Sequence, residues 1–297
     1  MNSRSLALLA ATAAGTIYGM NHSIAKGLMP QYIEPYGFIV LRVGGAAILF
    51  WIISLAYPNE KIDPKDWKRL LICALFGMAI NMLMFFKGLS LSTPINSSVI
   101  ITLSPVLLLV LSAILIKEKI TLLKTSGIVI GLAGGLILIL FGEKEQFNAP
   151  NIPLGNLLFI INATAYSIYL ILVKPLTAKY SSITLMKWLF LFAVIINLPI
   201  GFNEFTKVEW TTLPFDVIIK MGFVVVGTTV LTYLFNIYAL RQLKASTIGA
   251  FIYLQPVIAV IYAVVIGADY LTPIRVVAAI LIFAGVYMSS RKPKNLA

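Results

Sequence analysis

The sequence predicts an all-α integral membrane protein: ten transmembrane helices arranged as two inverted five-helix repeats. Three observations predict it. Of 297 residues, 60% are hydrophobic and only 11% are charged, and the mean hydropathy is +0.95. A soluble domain of this length cannot bury so much apolar side chain, so lipid must solvate most of it. The apolar runs are separated by short polar loops, and at about 20 residues per span the length accommodates ten. Finally, the two halves resemble each other, and a five-helix unit is odd, so its second copy enters the bilayer from the opposite side.

In order, the spans are read at 5–26, 35–57, 69–88, 93–116, 122–141, 153–173, 183–201, 215–240, 245–267 and 272–290. The first is oily from Leu6 onward yet carries the polar stretch IYGMNHSIAK. The second holds Arg42 about two turns in. The third is charged at both ends, and the fourth contains Pro105 and closes at Glu118. The fifth has glycines at 127, 131 and 135, and the sixth runs through Asn162 to Lys174. The seventh has Trp188 near its start. The entry of the eighth is blurred by Leu213-Pro214-Phe215-Asp216. The ninth opens around Tyr253-Leu254-Gln255-Pro256, and the tenth follows Asp269 and Thr272. All four tryptophans, at 51, 67, 188 and 210, fall near span ends, where amphipathic rings prefer to sit.

Orientation follows from the basic residues. With both termini in the cytoplasm, sixteen lysines and arginines lie inside and six outside, with Arg42 within the membrane. The positive-inside rule favours that arrangement, and an even number of spans requires the termini to share a side. The expected location is the inner or plasma membrane. The stretch LALLAATAAG has the look of a secretory signal, but apolar character continues past any cleavage point, so none is expected.

Composition also excludes functions. The net charge of +12 is spread over short loops and forms no extended basic face, so no nucleic-acid partner is expected. The single cysteine, Cys73, lacks a disulfide or metal-ligand companion in the sequence. There is no phosphate-binding loop, metal-ligand spacing, nucleophile motif or paired carboxylate. No cofactor and no enzymatic activity are expected.

The repeat is visible in aligned residues. A shift of 151 lays LSPV, 103–106, on LQPV, 254–257; Glu118 on Asp269; Thr121 on Thr272; Lys124 on Arg275; and Ala133-Gly134 on Ala284-Gly285. A shift of 148 lays Tyr18 on Tyr166 and Lys26 on Lys174. The division is therefore 1–145 and 146–297. Inverted repeats of this kind recur in transporters, with a substrate site near the midplane between them.

The paired stretches LSPVLLLVLSAILIKEKITLLKTSGIVIGLAGG, 103–135, and LQPVIAVIYAVVIGADYLTPIRVVAAILIFAGV, 254–286, resemble the drug/metabolite transporter superfamily in its EamA-type branch. The resemblance covers Pro105 and Pro256, Glu118 and Asp269, Thr121 and Thr272, the stretch Tyr18-Gly19 through Lys26, and Arg42. The chain departs from the pattern with Tyr18 where tryptophan is usual, Ser167 opposite Gly19, and Phe190 opposite Arg42. The resemblance implies a central cavity near the repeat interface and a secondary transporter exporting a small organic metabolite, such as an amino acid, a derivative or a drug. The alternatives are an import permease on the same fold and a non-transporting membrane subunit.

The residues themselves point to where that cavity lies. On a helix, Tyr18, Asn21 and His22 form one polar stripe. An unpaired amide or imidazole in hydrocarbon costs several kcal/mol, so the stripe must face protein or water. Similar stripes are Asn162, Tyr166 and Tyr169 in the sixth helix and Thr229, Tyr233 and Asn236 in the eighth. Asn81 in the third and Tyr253 and Gln255 in the ninth join them. The predicted substrate-binding set is therefore Tyr18, Asn21, His22, Asn81, Asn162, Tyr166, Tyr169, Tyr233, Asn236, Tyr253 and Gln255. Its donors, acceptors and rings suit a neutral or zwitterionic ligand with a flat apolar part.

Pro105 and Pro256 are expected to kink their spans and shape or gate the cavity. If protons couple, His22 is the candidate. The cost of a charge within the membrane favours a structural or gate-side role for Arg42, and Lys26 and Lys174 are expected to snorkel to opposite surfaces. Expected partners are the small-molecule substrate and the lipid bilayer. A homodimer through the glycine ridge of the fifth helix is a further arrangement the sequence permits.

Overall fold

The computed structural model describes residues 3–58, 60–115, 122–141, 143, 144, 146–235, 239 and 254–290. Asn236, Tyr253, Glu118 and Thr121 lie outside the described residues. Among those described there is no strand, only an isolated bridge between Gln146 and Ala149. The helices are α1 (Ser3–Leu28), α2 (Pro35–Ser54), α3 (Trp67–Ala74), α4 (Asn81–Leu91), α5 (Pro94–Ile101) and α6 (Ser104–Leu115). They continue with α7 (Leu122–Phe141), α8 (Ile152–Thr177), α9 (Ser182–Thr206), α10 (Phe215–Gly222), α11 (Leu254–Val265) and α12 (Pro273–Ser290).

Among the described residues, five rods are long and apolar enough to cross a bilayer: 35–54, 64–91, 152–177, 182–206 and 215–235. Two of these are interrupted by π-helical turns, Leu75–Ile80 between α3 and α4 and Phe223–Leu231 after α10. The second begins where a shift of 148 places the first. A π turn widens the helix and leaves some backbone groups without their usual i−4 partner. Here Thr228 Oγ1 donates to the Val224 carbonyl and Asn197 Nδ2 reaches the Met78 carbonyl at 3.4 Å, so side chains take up part of that capacity.

Helix ends are fixed by caps and proline. Thr93 accepts from Asn96 N, Asn151 from Leu154 N and Ser181 from Thr184 N. Proline opens α2, α5 and α12, where its missing N–H costs nothing. The fourth predicted span is broken rather than bent. Residues Thr102 and Leu103 turn between α5 and α6, and Pro105 stands in the first turn of α6. Ser104 Oγ donates to the Ile101 carbonyl at 2.7 Å, the acceptor that a non-proline residue 105 would have used. Pro256 stands in α11, whose preceding residues 240–253 lie outside the described residues.

Helices of the two halves pack closely. α2 and α9 run antiparallel, with Gly37 against Glu204 and Phe205, Gly201 against Tyr36, and Phe50 stacked on Phe190 at 5.5 Å. α7 and α12 also run antiparallel, where Gly131 and Gly285 touch backbone to backbone. The glycine ridge of α7 thus meets α12 of the same chain, allowing the close approach that small residues permit. α1 lies on α11, with Gly19 against the Gln255 carbonyl and Ile258.

The loop residues 29–34, 92–93, 143–144, 146–151 and 266–272 gather at one end, held by contacts among Lys26, Leu91, Asn151, Ile95, Glu143, Asp269 and Tyr270. Loop residues 55–58, 60–63 and 178–181 lie at the other, where Tyr180 and Ser181 meet Asp63, Glu60 and Asp66.

Candidate functional site

Between the two ends, α1 presents its polar stretch to the interior: Asn21, His22, Ser23 and Lys26 are all buried. His22 Nδ1 lies 2.7 Å from Ser97 Oγ on α5. The Ser97 hydroxyl donates to the Pro94 carbonyl at 2.9 Å. The imidazole also meets Phe85 edge-on at 5.6 Å. Asn21 Oδ1 and Ser23 Oγ are buried without a hydrogen-bond partner. Such atoms are costly inside a protein and are the groups a polar ligand or water satisfies.

Deeper along the same helix stands an aromatic cluster around one cation. Tyr18 lies near Arg42 and Thr232. Tyr233 packs edge-on against Phe50 and Phe190 and lies near Arg42, Tyr18, Tyr166 and Tyr169, and Tyr166 lies 5.8 Å from Tyr169, ring to ring. Tyr166 is 37% exposed, beside Tyr18 and Tyr169. Four predicted residues from α1, α8 and the 215–235 rod are therefore brought together.

Two predicted residues serve each other. Asn81 Nδ2 donates to the Asn162 carbonyl at 3.2 Å, and Asn162 Nδ2 donates to the Asn81 carbonyl at 2.7 Å. This reciprocal pair fastens α4 to α8, and Gly77 lets the Tyr169 ring close in beside it. Gln255 is half-buried where α11 meets Gly19.

Sequence reasoning missed the partners. Ser97 is one. Ser92, Asn96 and Asn156 form another group: Ser92 Oγ and Asn96 Nδ2 both donate to Asn156 Oδ1, at 2.7 and 3.2 Å, joining α5 to α8. The signal was present in the run Ser92-Thr93-Pro94, which reads as a helix start, but nothing local names its distant partners.

Lys26 does not snorkel. It is 5% exposed, and its ammonium donates to the Leu89 and Ser90 carbonyls at 2.7 and 3.0 Å, capping the C-terminus of α4.

At the Lys26 end a charged network joins the halves. Asp269 accepts from Arg275 at 2.7 Å and from the Ile95 amide at 3.1 Å, so it caps α5 across the molecule. Arg275 also reaches Thr93 and Glu143, and Tyr270 donates to Glu143 at 2.6 Å. Desolvation pushes the Glu143 carboxyl upward. The hydrogen bonds from Tyr270 and Gln146 and the Arg275 charge outweigh it and hold the group below its ordinary value. At the same end Glu204 accepts from the Tyr36 and Gly37 amides at 2.6 and 2.9 Å, filling the N-terminus of α2.

The opposite end is basic. A cavity of about 420 Å³ is lined there by Lys65, Asp66, Lys68, Arg69, Ile72 and Leu172. It contains none of the predicted site residues. Asp66 accepts from Lys179 at 2.9 Å and Tyr180 at 2.8 Å, and the Asp66 carboxylate holds the Lys179 ammonium above its ordinary pKa. Trp67, Trp188 and Trp51 meet edge to face at this end, with Lys187 over the Trp51 ring at 5.1 Å.

Comparison with known proteins places this architecture. Sequences from Archaeoglobus fulgidus and Bacillus subtilis are similar along nearly the whole chain. An uncharacterized transporter of the former is 26% identical, covering 98% of this chain and 99% of its own length. The uncharacterized transporter YyaM of the latter is 24% identical, covering 92% and 89%. A solved crystal structure, described only as that of a protein, shares the fold with a TM-score of 0.64 at 18% identity, covering 97% of this chain and 98% of that one. The sequence model of the EamA-like transporter family matches twice, at residues 5–140 and 153–291. An all-helical chain with membrane-length apolar rods, matched by that model in both halves, belongs to the EamA-like transporter family, within the drug/metabolite transporters.

Proposed function

We propose that this transporter has ten spans in two inverted five-helix repeats, 1–145 and 146–297, and works by alternating access. In this reading it moves a small organic metabolite, such as an amino acid, an amino-acid derivative or a drug, outward across the cell membrane, with both termini in the cytoplasm. The antiparallel pairing of α2 with α9 and of α7 with α12 supports inversion, because these are counterpart helices under the sequence repeat. The basic cavity mouth at the Lys65 end supports a cytoplasmic assignment for that face.

The observation that carries the reading is the interior polar cluster. Tyr18, Tyr166, Tyr169 and Tyr233 converge from helices of both halves, with His22 and the unpartnered Asn21 carbonyl oxygen on the same helix as Tyr18. A cargo bound there touches both halves, and two mirrored conformations exchange the side to which it opens. Asn81 and Asn162 hold the adjoining wall, and Pro105 opens α6, which packs on α8.

The test is flux in proteoliposomes, with labelled amino acids, their derivatives and drugs screened against the purified protein. Tyr18→Phe, Asn21→Ala and His22→Ala are each expected to lower transport of an accepted cargo roughly tenfold, the worth of one ligand hydrogen bond. Full activity in all three would remove the cluster from the transport path.

A further inference from the structure

Four cations are buried among the described residues: Lys26, Arg42, Lys187 and Arg275. Three have their charge answered. Lys26 has two helix-end carbonyls, Arg275 has Asp269 and Glu143, and Lys187 has two indole faces and the Glu60 charge nearby. Arg42 differs. Its Nε donates to Thr229 Oγ1 at 2.9 Å, and its guanidinium lies 5.7 Å from the Phe86 ring centroid. Among the described residues its two terminal nitrogens donate to no protein acceptor, and no carboxylate pairs with it. The side chain stands about two turns inside α2, 8% exposed.

A desolvated guanidinium is retained at such a depth only where something compensates it. The hydroxyl-bearing rings of Tyr18 and Tyr233 lie close enough to Arg42 to interact with its charge. An unused pair of N–H-bearing nitrogens beside phenol hydroxyls describes a site for an anionic oxygen group. We infer that Arg42 anchors a carboxylate of the transported molecule, accepted in the bidentate fork that two parallel N–H donors offer, with Tyr18 and Tyr233 donating beside it.

A single guanidinium matches a single negative charge, so a carboxylate fits better than a phosphate dianion. Arg42 is also well placed to couple binding to movement. It belongs to α2, but its hydroxyl partner Thr229 lies in the π turn of the second half. An anion on Arg42 therefore sits where the halves meet.

This inference rests on the transport reading above, and the test separates the two. Proteoliposomes are assayed with L-leucine and L-phenylalanine, their amides, their decarboxylated amines, and ethidium as a drug without a carboxylate. The wild type is expected to prefer each acid over its amide by roughly tenfold or more, since a site built to bind a group rejects the analogue lacking it. Arg42→Gln is expected to bring that ratio near one, and Arg42→Lys to retain part of it. Thr229→Val, which removes the Arg42–Thr229 and Thr229–Val224 hydrogen bonds but leaves the terminal guanidinium nitrogens, is expected to leave the ratio intact even where total flux falls.

Equal transport of acids and amides would overturn the inference while leaving transport standing. So would flux of ethidium or the amines alone, or a Thr229→Val ratio that collapses as far as Arg42→Gln. No flux of any compound would overturn the transport reading and this inference with it.

Discussion

Gly37 on α2 and Arg42, five residues on, show how differently single residues act in this interior. A Cβ at Gly37 would stand 2.8 Å from the Phe205 amide nitrogen and 2.9 Å from the Glu204 carbonyl carbon. Backbone cannot yield as a flexible side chain can, so Gly37→Val must push α2 from α9. It would also loosen the bonds from Glu204 to the Tyr36 and Gly37 amides. The expected loss is about 1–3 kcal/mol of stability, the ordinary cost of overpacking, read as a lower midpoint in thermal unfolding of the purified protein. Arg42 acts through charge rather than volume, so its variants are read in cargo selectivity. Tyr18 was identifiable from the sequence because a polar stripe in an apolar run must face inward. Arg42 was equally visible as a buried charge. Its role as an anion anchor was not, because the absence of a carboxylate partner is a property of the packed helices.

At the scale of elements, the loops that gather at the Lys26 end are tied by Glu143, Tyr270, Asp269 and Arg275. Glu143 titrates below its ordinary value of 4.5 in the folded protein, so the unfolded chain binds its proton more tightly. The stabilisation from this carboxylate is complete above about 4.5 and is lost as pH falls through the lower folded value. Thermal unfolding from pH 7 to pH 3 should therefore show a falling midpoint at the acid end. Glu143→Gln should start lower at pH 7 and fall less steeply below 4.5. An unchanged acid slope would show that the network does not hold the two loops. At this scale the described helices fall on the apolar stretches read from the sequence, because apolar length and capping residues are local signals. It did not foretell that the fourth span divides at Thr102–Leu103, or that two rods carry π turns. Both depend on side chains such as Ser104 and Thr228 taking up backbone carbonyls.

For the whole molecule, the proposed inversion makes a prediction about sidedness. In the Cys73→Ser background, single cysteines at Lys144 and Lys207 are expected to react with a membrane-impermeant thiol reagent from outside intact cells. Cysteines at Lys65 and Lys179 are expected to react only after the membrane is opened. The opposite pattern would reverse the direction assigned to the chain, and labelling of all four from one side would end the inverted arrangement. The family assignment does not depend on this outcome, since it rests on the match across both halves.

By itself the sequence determined that this chain belongs in lipid and that its halves repeat. These follow from hydropathy and periodicity, which are summed over neighbours along the chain. Only the tertiary structure decided what each buried polar group meets. Lys26 finds the carbonyl of Leu89, His22 the hydroxyl of Ser97, Asp269 the amide of Ile95, and Arg42 the hydroxyl of Thr229. The first two pairs join different spans of the first half, and the last two join the two halves. Their choice depends on the rotation and register of packed helices, fixed where glycines such as Gly37, Gly131 and Gly285 let backbones touch, and no local pattern encodes that geometry.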